Sequence, residues 1–167
     1  IDTHIIIGNH DTYFKNTNEV NSVTELIGNR YNNVKIYTEA EEVKFDDLSV
    51  LFLPWINASN HASKMKIIEQ SRSDMCMGHL EIAGFEMMKG IKNEHGYDKS
   101  IFTKFDSVFS GHFHHKSDDG QIYYLGSPYE FYWNDCDDRK GFHVSRTENR
   151  RLDRIITVSY THLTLPT

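Results

Sequence analysis

Three short apolar runs in this chain break off in the same way. "IIIGNHD" (residues 5–11), "MCMGHLE" (residues 75–81) and "SVFSGHFHH" (residues 107–115) each carry hydrophobic residues straight into Gly or Gly-Asn followed by His. Short apolar runs stopped by glycine read as buried strands. In layered α/β folds, functional loops gather at the carboxyl ends of strands. Glycine at those ends lets the backbone turn sharply and leaves room for a ligand. The repeated pattern therefore points to an α/β domain that gathers three Gly-His loops.

The remaining pattern agrees with that class. Strands are expected over residues 4–7, 34–37, 43–45, 49–53, 75–77, 106–109, 122–125 and 142–145, with Pro54 closing the fourth. Helices are expected over residues 18–27, with Val20, Val23, Leu26 and Ile27 as the apolar stripe, and over residues 60–71, with Met65, Ile67 and Ile68 facing inward. Residues 85–100 are polar and punctuated by glycine, and read as loop with a short helix. Asp118-Asp119-Gly120 spells a turn. There is no internal repeat and no low-complexity linker. Strands interleaved with helices predict an α/β layered domain.

At 167 residues the chain has room for one domain with a real core. No apolar run is long enough to cross a membrane, so no membrane partner is expected. Cys76 and Cys136 are the two cysteines; they make no disulfide framework and read as buried or half-buried thiols in a reducing cytosol. The net charge is −6, with ten histidines counted as neutral. That balance excludes a simple basic protein that coats nucleic acid. It leaves room for a metal-dependent nuclease, because bound divalent ions reverse the local sign.

The three Gly-His loops offer Asn9, His10, Asp11, His79, His112, His114 and His115. Imidazole with amide or carboxylate oxygen suits Mn, Fe or Zn, and no thiolate accompanies them. In an extended His-Phe-His stretch alternate residues point to one side, so His112 and His114 are expected to face one site.

These motifs resemble those of the calcineurin-like metallophosphoesterases, whose later motifs run Gly-Asn-His-Asp or Glu, then Gly-His, then Gly-His-x-His. The chain is similar in more detail to SbcD-type DNA repair nucleases and, among them, to the recombination endonuclease subunits of T-even bacteriophages. "GHLEIAGFEM", "FDSVFSGHFHHKS" and "YYLGSPYEFYWND" carry that likeness, which covers roughly residues 1–154. The resemblance implies a layered metallophosphoesterase-type β-sandwich flanked by helices. It implies a two-metal phosphodiesterase using Mn²⁺, with Mg²⁺ or other divalent ions as alternatives, in which the ions clamp the phosphate and activate a water. Asn9, His79 and His112 would hold one ion and His114 would reach the other. His10 would act at the leaving oxygen or phosphate, with Asp11 orienting it. DNA is the implied substrate, an SbcC-type ATPase and a second copy of the chain are the implied partners, and the cytoplasm is the implied compartment.

The same family starts with an Asp-x-His pair and a Gly-Asp motif upstream of Gly-Asn-His. "IDTHI" spells Asp2-x-His4, but the family pair lies one or more βα units earlier, so Asp2 and His4 are read as strand residues. The expectation is an amino-terminally truncated chain: residues 1–157 as the carboxyl-terminal part of the nuclease domain, and "VSYTHLTLPT" (residues 158–167) as a non-native tail, with His162 outside any site. Such a piece would have a partial site and little catalysis. Two other readings stay open. One is a different metallophosphoesterase, a phosphatase or nucleotide phosphodiesterase. The other is a non-catalytic scaffold that keeps one metal.

Smaller features complete the reading. Arg139, Lys140, Arg146, Arg150, Arg151 and Arg154 read as a solvated basic face or a phosphate-contacting edge. Tyr129, Phe131, Tyr132 and Trp133 read as core packing, or else as a surface for stacking on an unpaired base. His115 reads as a surface or supporting residue. His61, His95 and His143 have no motif around them.

Overall fold

The computed structural model describes residues 1–28, 30–146 and 151–157. In chain order the elements are β1 (Thr3–Ile6), α1 (Ser22–Leu26), β2 (Val34–Tyr37), β3 (Glu41–Phe45), β4 (Leu48–Leu53), α2 (His61–Gln70), β5 (Met75–Gly78), β6 (Glu86–Met88), β7 (Ile91–Lys92), β8 (Ser107–Ser110), β9 (Ser117–Asp118), β10 (Ile122–Tyr124), β11 (Gly141–Arg146) and β12 (Arg151–Ile156). Short 3₁₀ turns cover Lys99–Phe102 and Trp133–Asp135.

A mixed six-stranded sheet in the order β3-β4-β5-β8-β10-β9 forms the centre. Its four middle strands run parallel and its edge strands antiparallel. Strict alternation along each middle strand splits the hydrophobic residues between two faces. Leu51, Leu53, Cys76, Val108, Ile122 and Tyr124 go to one side, where Ile68 of α2, Phe102 and Phe105 close over them. Val50, Phe52, Met75 and Phe109 go to the other, where they meet Ile6 of β1, Tyr37 of β2 and Leu152 of β12. The parallel pair β1-β2 and the hairpin β11-β12 therefore contribute to the second face. The fold is α/β with few helices.

Two expectations are corrected, and one strand was not expected. The first helix is only five residues long, capped by the Asn21 side chain accepting from Thr24 N, and buries none of its residues. Of its apolar stripe, Val20 and Leu26 are exposed, Leu26 at 69%, and Val23 and Ile27 are half-buried, while the neighbouring Asn18 and Asn21 are buried. The reason is that these asparagines bond backbone: Asn18 Nδ2 donates to Thr38 O and Trp55 O, and Asn21 Nδ2 to Asn18 O. Residues 85–100, expected as loop with a short helix, hold a small hairpin, β6-β7, and the 3₁₀ turn begins only at Lys99. The strand β12 escaped sequence reading because its arginines hide the alternation, yet it pairs with β11 along its whole length.

In the second helix Ile68 is buried and Met65 and Ile67 pack against the core, as expected. Lys64 is also fully buried, paired with Glu39. The two thiols differ: Cys76 is buried and Cys136 exposed. Burial pushes the Cys76 thiol up, away from the reactive thiolate. An aromatic disulfide reagent is expected to titrate one thiol in the native chain and both in denaturant. Two rapid equivalents under native conditions would show that the Cys76 layer is open.

Candidate functional site

The parallel register sets the site. Leu53 lies opposite Gly78, Gly78 opposite Ser110, and Ser110 opposite Tyr124, so four carboxyl ends are level. The residues that follow leave the sheet together. His79 N donates to Leu53 O at 3.1 Å and Gly111 N to Gly78 O at 3.0 Å. The loop after β1 joins the same end because Trp55 N donates to Ile7 O at 2.8 Å.

That first loop is a closed turn. Gly8 N donates to Asp11 Oδ2 at 2.8 Å, Asp11 N to Gly8 O at 3.2 Å, and Thr12 Oγ1 to Asn9 O at 3.0 Å. Glycine is required at its start, since a Cβ on Gly8 would sit 2.8 Å from Cε1 of the His79 ring. With that ring lying against the glycine, His79 Nε2 comes within 2.8 Å of Asn9 Oδ1. The same nitrogen is 3.2 Å from His112 Nδ1. Asn9, His79 and His112, distant in sequence, thus converge.

The second loop is held from below. Tyr124 OH accepts from Ile82 N at 2.8 Å and donates to Leu80 O at 2.9 Å, and Leu80 N donates to Ser110 Oγ at 3.0 Å. Trp55 covers the imidazoles, stacked on His112 at 5.5 Å and edge-on to His79 at 6.0 Å. Sequence reasoning missed Trp55. The signal was there, because Trp55 follows the fourth strand end just as the Gly-His pairs follow the others.

Electrostatics keep these rings neutral. Burial holds His79 down at about 3, helped by the charges of His112, His10 and His114. Burial also lowers His112, against the pull of Glu81. Neutral imidazole is the form that binds metal. The donor spacings fit one ion: ligand bonds of about 2.0–2.2 Å put neighbouring donors roughly 3 Å apart, and the two gaps here are 2.8 and 3.2 Å. Among the described residues no three His, Cys, Asp or Glu side chains gather as a metal cage, so the set depends on the Asn9 oxygen.

No hydrogen bond joins His114 to these three side chains among the described residues, although it lies near enough to help lower His79 and His112. The loop is not extended, since His112 has φ +81°, a left-handed conformation costly for a residue with a Cβ. His114 instead stacks on Tyr132 at 5.5 Å and packs on Phe131, with Nδ1 4.0 Å from Asp135 Oδ2. His10 is exposed at the rim. No hydrogen bond joins it to Asp11 among the described residues; the carboxylate of Asp11 is engaged by Gly8 N. His115 is tied to Asp138 at 3.0 Å and Glu86 at 3.2 Å. His4 lies in β1, bonds Tyr37 OH at 2.6 Å and stacks on Phe52, while Asp2 is exposed.

The basic segment is not one face. Lys140 is buried and ion-paired to Asp135 and Asp138, and Arg146 and Arg151 both lean on Asp153. His61 stacks on Tyr97, and the ring nitrogens of His143 are buried without a hydrogen-bond partner among the described residues. Arg150 and residues 158–167, with His162, lie outside the described residues.

Two outcomes follow. Gly8→Ala should displace the His79 ring and weaken Mn²⁺ binding by about tenfold or more with an unchanged circular dichroism spectrum; unchanged affinity would remove His79 from the triangle. In the metal-free chain, His79 and His112 have folded values below their unfolded ones, so the unfolded state binds more protons below about pH 6.5. Stability should therefore fall as pH drops from about 6.5 towards 3, and the ring protons of His79 should not shift between about pH 8 and 5 in NMR spectra. A midpoint for His79 near 6.5 would contradict the burial.

No family model matches the chain. The chain is similar to exonuclease subunit 1 of Enterobacteria phage T4, with 36% identity over 155 residues, which is 93% of this chain and 45% of that protein. It thus spans a little under half the length of this nuclease relative.

Proposed function

We propose that residues 1–157 are part of the nuclease domain of a phage DNA exonuclease or endonuclease subunit of the SbcD metallophosphoesterase type, acting in recombination and double-strand-break repair. The observation that carries this is the convergence of Asn9 Oδ1, His79 Nε2 and His112 Nδ1 at donor spacings suited to a divalent ion. The likeness to a phage exonuclease subunit points the same way. Two hydrophobic layers on opposite faces of one sheet are in keeping with a layered metallophosphoesterase sandwich.

In this reading Asn9, His79 and His112 hold one ion, Mn²⁺ by the resemblance. When bound, such an ion supplies Lewis acidity to a phosphodiester oxygen. Trp55 excludes water from one side and fixes the ring planes of His112 and His79. Asp11 holds the loop closed on Gly8, so that Asn9 and His10 leave it at set positions. His10, exposed beside Asn9, meets the phosphate and gives a proton to the leaving oxygen. By the resemblance His114 would face a second ion only in the intact family domain. No three carboxylates or imidazoles surround it among the described residues, and no step is routed there. A subunit implies a partner, here an SbcC-type ATPase, and a second copy of the chain, with DNA as substrate in the cytoplasm.

Titration calorimetry with Mn²⁺ tests the reading. One ion per chain is expected. Asn9→Ala and His79→Ala should each weaken it by about tenfold or more, and His115→Ala should leave it unchanged. Full affinity in His79→Ala, or two fully occupied ions, would overturn the assignment.

A further inference from the structure

Of the two expectations for the segment 129–133, core packing and a stacking surface, core packing does not hold. Tyr129 is 52% exposed, Phe131 49%, Tyr132 60% and Trp133 98%. Four large aromatic side chains in five residues left in water mark a surface with a use. The backbone beneath them is firmly held. Asp135, itself buried, accepts from Phe131 N at 2.9 Å and Tyr132 N at 3.1 Å. The ammonium of Lys140, 2% exposed, donates to Asp135 Oδ1 at 3.1 Å and to His114 O at 2.8 Å. One buried cation therefore locks the aromatic segment to the His114 loop.

The rings continue into the candidate site. Tyr129 packs on Phe131 at 4.5 Å, Phe131 on His114 at 5.0 Å, and His114 lies parallel to Tyr132 at 5.5 Å with 6° between planes. Beside them lies a shallow surface groove, open to solvent, lined by Glu130, Phe131, Tyr132, Trp133 and Cys136. Its one charged lining residue is an acid, Glu130, so the groove does not form a track for phosphates.

We propose that this segment is a stacking platform for an unpaired nucleobase, which holds a frayed or single-stranded DNA end with its phosphate towards His114. The proposal rests on the nuclease reading above and names the part of the substrate that the metal triangle leaves unrecognised. A base inside a duplex shows no free face, whereas an unpaired one offers a π-surface to any aromatic ring. Uncharged rings beside carboxylates select the base and not the backbone. Stacking also tolerates every base, as an exonuclease needs.

The test measures fluorescence anisotropy of a labelled dT12 strand and of an abasic 12-mer with the chain in EDTA. Wild type should bind dT12 more tightly than the abasic strand. Trp133→Ala should weaken dT12 by about tenfold and leave the abasic strand unchanged, while Trp133→Phe restores most of the loss. Trp133 is exposed, so matching melting curves are expected and separate this effect from unfolding. Equal weakening of both strands, or no change in dT12, would overturn the platform while leaving the nuclease reading in place. Wild type binding neither strand would remove that reading too. Sedimentation showing that Trp133→Ala breaks a dimer, with dT12 affinity unchanged, would assign the rings to a second copy of the chain and overturn the proposal.

Discussion

The level alignment of four parallel strand ends is the constraint on which this molecule depends. Hydrogen bonding fixes Leu53, Gly78, Ser110 and Tyr124 side by side. A slip of one residue at any of these pairs would turn core residues to the wrong face, because side chains alternate along a strand. Burial of Leu51, Cys76, Val108 and Ile122 on one side, and of Phe52, Met75 and Phe109 on the other, thus protects the register. The register in turn brings His79 and His112 within 3.2 Å.

Around that end, polar groups are buried to serve geometry. Asn18 and Asn60 both donate to Trp55 O, at 2.9 and 3.1 Å, and Asn57 Nδ2 donates to Asn18 Oδ1. Buried amides are tolerated when each is paired. Here the pairing holds the Trp55 backbone, whose ring then covers two imidazoles. The Lys140–Asp135 pair plays the same part on the other side, under His114 and the aromatic segment. A buried ion pair adds little net stability, and its value lies in fixing position.

Much of this was legible in sequence. Strands ending in Gly-His were visible because apolar runs and glycine stops are local signals. That the three Gly-His loops gather followed from the rule that strand ends share a site; the choice of Asn9, His79 and His112 as one set came from the family resemblance. Other features were hidden. The position of His114 depends on the left-handed turn at His112, which no glycine announces. The burial of Asn18 and Asn21, and the exposure of Leu26, depend on backbone partners far along the chain. The rings of 129–133 read as core or as a stacking surface, since composition alone cannot tell an aromatic that packs from one held out by an anchored turn.

By itself, then, the sequence determined the α/β class, the strand ends and the residue types able to bind a metal, because periodicity and glycine placement act within a few residues. Tertiary structure decided which donors meet, which imidazoles stay neutral and which aromatics face water. Those outcomes turn on distances of a few ångströms between segments some 30 to 70 residues apart, as between Asn9 and His79 or His79 and His112, and only the packed sheet sets them.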